Sequence, residues 1–184
     1  MLKKRELLIK KATELFAQGG YHAIGVDMVV AEAGVAKMTL YKHFPSKDAL
    51  VVEVLKQRDS VFRSSLTAYV GQFELLQDKI KAVFVWHDKW FRRRDFRGCM
   101  FINAAAEFHN RQDNIHKASA RHKQLLTAYI ESLLDPDTTP QKRKKLATQI
   151  TILLDGAIVA AHVTRNLNAA MDAWEVAQQL IATN

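Results

Sequence analysis

Between Ala36 and Phe44 the chain carries Lys37, Met38, Thr39, Tyr41, Lys42 and His43 around a single apolar Leu40. Read as a helix, this run buries Leu40 and Phe44 on one side. It turns the rest largely outward, as hydrogen-bond donors and one adaptable apolar side chain. Such a set suits the reading of a duplex without covalent chemistry. Lys37 and Met38, at the helix N-terminus, are placed to reach base edges in the major groove. There Lys37 can donate to guanine O6 and N7, and Met38 can pack on a thymine methyl. Thr39, Tyr41 and His43 would hydrogen-bond the DNA backbone, and Lys47, at the start of the following helix, would reach a phosphate.

A recognition helix works only if neighbouring elements hold it. Val26, Val29, Val30 and Ala33 recur as one apolar stripe on a preceding helix, and Gly34 follows where a helix can end in a left-handed residue. Upstream, a first helix is expected from about Lys3 to Gln18, with Leu8, Ala12, Leu15 and Phe16 on one face and Gly19-Gly20 as its stop. Lys3, Lys4 and Arg5 form a short basic arm. After Phe44, Pro45 breaks the chain, Ser46 can cap, and Asp48 suits the first turn of a long helix running to about Gly71. No Gly- or Ser-rich linker follows, so movement elsewhere in the molecule should reach this region as a rigid-body shift.

The segment Ala33 to Leu50, AGVAKMTLYKHFPSKDAL, carries a more specific signal. Its alanine-glycine-valine turn, threonine-leucine-tyrosine run, histidine-phenylalanine pair and serine-lysine pair resemble the DNA-binding domain of the tetracycline-repressor (TetR) family of bacterial transcription regulators. The resemblance covers roughly Leu2 to Leu55 without a gap. It implies DNA contacts at Lys37, Met38, Thr39, Tyr41, Lys42, His43 and Lys47, and it adds Gly25, which stands where the family usually has a threonine that caps the helix and touches phosphate. Asp27 occupies a position often held by arginine. An acid there accepts from a cytosine amino group, pairs with a neighbouring base such as Lys42, or faces away, and an intramolecular role is expected. Ala36 replaces the common serine cap, and Val30 a smaller alanine.

Downstream the pattern stays helical, over about Leu75 to Arg94, Met100 to His109, Asn114 to Leu134, Gln141 to Arg165 and Ala169 to Ala182. The expected fold is all-α: a three-helix helix-turn-helix domain at 1–46 and a six-helix body at 47–184 for ligand binding and dimerisation, as the resemblance implies. Tyr69, Phe84, Trp86, Trp90, Phe91, Phe101 and Phe108 could line a cavity or form ordinary core. Phe62, Trp86, Trp90, Phe101 and the amide of Asn103 are the candidate ligand residues. Cys99 reads as a redox-sensitive thiol or a small buried hydrophobe. On the last two helices, Leu153, Leu154, Ala157, Ile158, Ala161, Ala173, Val176 and Ala177 are the candidate dimer interface, in a four-helix arrangement about a two-fold axis.

Composition agrees with a polyanionic partner: 27 Lys and Arg against 19 Asp and Glu give a formal charge of +8. One cysteine excludes an internal disulfide, and the charged N-terminus lacks the apolar core of an export signal or a membrane span, so a cytoplasmic protein is expected. The seven histidines have no metal-ligand spacing, and no nucleophile with its base, paired carboxylates or phosphate loop is visible. No metal, cofactor or enzymatic activity is therefore expected. The expected partners are a double-stranded, near-palindromic operator, a second copy of the chain and an unidentified small-molecule effector. The alternative is a DNA-binding regulator without a small-molecule effector, controlled by a protein or acting as an activator.

Overall fold

The computed structural model describes residues 3–183, and every regular element among them is an α-helix. In chain order these are α1 (Lys4–Gly19), α2 (Val26–Ala33), α3 (Lys37–His43), α4 (Lys47–Val70), α5 (Leu76–Phe91), α6 (Met100–Glu107), α7 (Asn114–Ser132), α8 (Pro140–Val163) and α9 (Ala169–Ala182). They form two compact units, Met1–Val61 with Met100–Arg121, and Phe62–Cys99 with His122–Asn184. That division differs from a cut after residue 46, because α6 and the opening turns of α7 lie with the N-terminal helices.

In the first unit, α1, α2 and α3 pack on one another around Leu8, Ile9, Ala12, Phe16, Val29, Val30, Ala33 and Leu40. Leu50, Val51, Val54 and Leu55 of α4 are also buried. Gly34 ends α2 at φ 62°, ψ 37°, the left-handed conformation that turns the chain into α3. Gly20 has φ 77°, and a Cβ there would stand 2.9 Å from a Glu107 carboxylate oxygen. Ser46 caps α4 as its sequence suggests, its hydroxyl accepting from the Ala49 N–H at 3.1 Å. Arg5 of the expected basic arm is instead tied down, 2.8 Å from Glu53 and 5.5 Å over the Phe44 ring.

In the second unit, α8 packs on α9, and both pack on α5. Ile80, Val83 and Phe84 meet this layer, with the Phe84 and Trp174 rings 5.5 Å apart. α5 stops at Phe91, short of the expected Arg94, where Arg93 N–H turns back to the Trp90 carbonyl and its guanidinium pairs with Asp95 at 2.8 Å. α7 closes with bonds from Leu133 to Ile130 and from Leu134 to Glu131, a tighter turn than the α-helix. α8 starts on Pro140, whose missing N–H costs nothing in a first turn. It is long and apolar enough to cross a membrane, yet 44% of its most apolar window is already buried within the protein.

Candidate nucleic-acid interface and ligand-facing residues

The helix-turn-helix presents α3 as its chemistry requires. Leu40 is fully buried and Phe44 nearly so, which fixes the helix axially. Met38 is 68% exposed, and Lys37, Tyr41, Lys42 and His43 are exposed around it. Thr39 is half-buried, its N–H bonded to the Ala36 carbonyl at 2.8 Å. Gly25 caps α2 in an extended conformation, with open space where a Cβ would lie. Lys47 is half-buried and donates to the His22 carbonyl at 3.3 Å. Met28, on the outward face of α2, adds an exposed apolar side chain that the stripe argument passes over.

Asp27 pairs within the protein while staying open to water, and its partner is Lys37, at 2.8 Å. The hydrogen bond from the ammonium, and the charge of the carboxylate, raise the Lys37 pKa above its ordinary value.

A second arrangement in this unit involves residues that the sequence does not single out. The Glu107 carboxylate accepts the Tyr21 N–H on both oxygens at 2.9 Å and the His22 N–H at 2.6 Å. The Tyr21 hydroxyl donates to the Met100 carbonyl at 2.9 Å, so both ends of α6 hold the turn between α1 and α2. The His22 ring lies against Phe108, with centroids 4.7 Å apart.

The expected ligand residues fall in different units. Phe101 is buried and Asn103 half-buried on α6, in the first. Phe62, Trp86 and Trp90 come together in the second, with centroids 4.8 Å (Phe62 to Trp86), 5.4 Å (Phe62 to Trp90) and 5.9 Å (Trp86 to Trp90). The Trp86 indole N–H donates to the Ser65 hydroxyl at 3.2 Å. Cys99 is buried and free. The same unit also carries an open apolar groove of about 690 Å³, lined by Leu75, Leu76, Ile80, Leu133, Leu134 and Trp174 among others.

At the centre of the aromatic group lies His87, wholly buried and flanked by Phe62, Trp86, Trp90 and Phe91. With Nδ1–H donating to the Val83 carbonyl at 2.8 Å, Nε2 is left as a bare acceptor, and it has no hydrogen-bond partner among the described residues. Burial pushes the pKa down to about 4, outweighing the Val83 bond, and the charges of Lys123 and His122 lower it further. An unfolded chain protonates this ring near pH 6.5, so between there and pH 4 the unfolded state holds the extra proton. The stability that neutral His87 confers is full above pH 6.5 and falls by about 3 kcal/mol as the pH drops to about 4. His87→Phe is expected to flatten that fall in urea melts across the window, and a wild-type slope in the variant would refute the assignment.

On the last two helices, Leu154, Ala157, Ile158, Ala161, Ala173 and Ala177 are buried within the subunit, and Leu153 is half-buried. The apolar residues that face outward are Ile152, Val159 and Val163 of α8, with Gly156 between them, and Val176 of α9. Positions 152, 156, 159 and 163 repeat by four, three and four, the spacing of a helix–helix seam. The outward stripe thus lies beside the expected one, and of the eight expected residues only Val176 is exposed.

Residues 8–54 match the model of bacterial regulatory proteins of the tetR family, and residues 77–175 match that of the C-terminal domain of LmrA/YxaF-like transcriptional regulators. The chain is 24% identical to the HTH-type transcriptional regulator LmrA of Bacillus subtilis (strain 168) over 168 residues, which cover 88% of each chain. It is 26% identical to the HTH-type transcriptional repressor DhaR of Mycobacterium sp. (strain GP1), over 88% of this chain and 84% of that one. Among solved structures, SCO4454, a TetR-family transcriptional regulator from Streptomyces coelicolor, superposes with a TM-score of 0.89 at 28% identity, covering 98% of this chain and 95% of that one. The reduced form of E. coli NemR shares the fold at a TM-score of 0.86 and 21% identity, over 96% and 95% of the two chains.

Proposed function

As the chain belongs to the tetracycline-repressor family of bacterial transcriptional regulators, we propose that it is a dimeric cytoplasmic repressor, released from a near-palindromic operator by a small apolar or amphipathic ligand. DNA-binding regulation of transcription follows from the family itself. The observation that carries the operator reading is the outward face of α3. Lys37, Met38, Tyr41, Lys42 and His43 stand exposed on a helix anchored by fully buried Leu40. Two such helices, brought about one DNA turn apart by a two-fold axis, read two half-sites.

Support for an effector comes from His87. A neutral, bare acceptor among aromatic rings suits a ligand with a flat apolar body and a hydrogen-bond donor. In this scheme the ligand tilts α4, which is unbroken from Lys47 to Val70, and changes the spacing of the two heads. A differential affinity of about 1 to 3 kcal/mol between the two states suffices. A regulator answering to a protein partner instead would keep the DNA contacts and lose the ligand response.

The experiment is a titration of the whole chain on duplexes enriched from a random pool, with scrambled DNA as competitor. Lys37→Ala is expected to weaken binding to the enriched site about tenfold or more, at roughly 1 to 3 kcal/mol for a base contact, and Tyr41→Ala, which removes a backbone contact, to weaken binding to the enriched and scrambled duplexes alike. Thermal melting should not change. Equal affinity for enriched and scrambled DNA, or full affinity in both variants, would overturn the reading.

A further inference from the structure

We propose that Asp27 is a specificity residue, which keeps Lys37 off the phosphate backbone and reserves it for a base edge. The Lys37 ammonium donates to the Asp27 carboxylate at 2.8 Å while the two side chains remain 52% and 79% exposed. Asp27 is in the first turn of α2 and Lys37 is the first residue of α3, so the pair bridges the two helices of the reading motif. An ion pair this open to water adds little to folding. Its effect on DNA binding is larger, because both charges stand where a polyanion arrives.

On a duplex of arbitrary sequence, affinity comes from Lys and Arg side chains that neutralise phosphates and release counterions. A Lys37 that stays with Asp27 releases none. One that leaves for a phosphate strands a carboxylate beside the polyanion. A base edge changes the balance, because an ammonium has three donors. One stays on Asp27, and two remain for O6 and N7 of a guanine. Asp27 therefore weakens binding to every sequence, and it weakens it least where a guanine lies under Lys37. Gly25, beside it, offers no side chain to a phosphate, which leaves the α2 end of the motif biased against indiscriminate binding.

The test uses the whole chain as wild type, Asp27→Asn, Lys37→Ala and the double variant. Each is titrated by fluorescence anisotropy, over a salt series, against a random-sequence duplex and against the site that wild type enriches from a random pool. Asp27→Asn is expected to bind random DNA several-fold more tightly, with a log K against log[salt] slope steeper by about 0.9 for each subunit bound. Adding Lys37→Ala should return that slope to the wild-type value. The preference for the enriched site should fall about tenfold, the size of one base contact. An unchanged slope on random DNA would overturn the proposal. So would a loss confined to the enriched site, which would make the carboxylate itself the reader of a cytosine amino group. A fall in melting temperature together with both affinities would make Asp27 structural and would overturn it as well.

Discussion

Val159→Asp is expected to leave the subunit folded, to convert the proposed dimer to monomer, and to lower affinity for a two-half-site operator by about a hundredfold or more. Val159 is 46% exposed, midway along the outward stripe of Ile152, Gly156 and Val163, so an acid there disturbs no core within the subunit. In a two-fold interface each substitution appears twice, and two carboxylates are then driven into an apolar seam. Burying an unpaired charge of this kind costs several kcal/mol. Without the seam each head binds alone, and the gain from linking two sites, typically about 10²-fold to 10⁴-fold, is lost. Sedimentation and anisotropy titration on the same samples check both halves of the result. A dimer of unchanged stability with full operator affinity would show that the stripe on α8 is not the seam.

Glu107→Ala is the second large effect, expected to destabilise the protein by about 3 to 4 kcal/mol and to abolish operator binding at temperatures where wild type is intact. The carboxylate holds two backbone N–H groups. Hydrogen bonds to a charged group contribute about 1.5 to 3 kcal/mol each, and the Tyr21 N–H would lose a charged acceptor that it meets on both oxygens. The His22 N–H is more open to water and loses less. For a chain of this size each kcal/mol is worth roughly 2 to 4 °C in melting temperature, so a drop of about 10 °C is expected in calorimetry. Glu107→Gln, which keeps one acceptor oxygen and loses the charge, should fall between. A Glu107→Ala protein that melts like wild type and binds its operator would show that the turn between α1 and α2 holds without the clamp.

The helices were legible because this chain punctuates them with Gly19-Gly20, Gly34, Pro45 and Pro140, and spaces its apolar residues by three and four. The reading helix was legible too, since its outward side chains follow once Leu40 is taken as the buried one. Three things lay beyond periodicity. Glu107 finds its partners across 85 and 86 residues, and nothing in its local sequence marks it. Asp27 pairs with Lys37 and not Lys42, and the spacing of the two lysines along the chain does not decide between them. On α8, Leu154, Ala157, Ile158 and Ala161 and the series 152, 156, 159 and 163 are both apolar seams. Which of them faces inward is set by where α5 and α9 pack, not by spacing along α8. His87 stands between Trp86 and Trp90 in the sequence, but nothing there marks it, and its bare Nε2 depends on a bond made by the other ring nitrogen.

The Glu107 clamp also bears on how regulators of this kind can be recombined. A chimera built by grafting residues 1–46 onto another body would separate Tyr21 and His22 from the carboxylate that accepts their N–H groups. The carboxylate grips main chain, but the His22 ring also meets the Glu107 carbonyl at 3.0 Å and lies against Phe108, so a graft that matches at position 22 keeps more of the contact. It must, however, carry α6 with it or land on a body whose equivalent helix ends in an acid. The portable reading head of this protein is therefore discontinuous in sequence, and a designer who cuts at the helix-turn-helix boundary should expect a head that folds poorly and reads nothing.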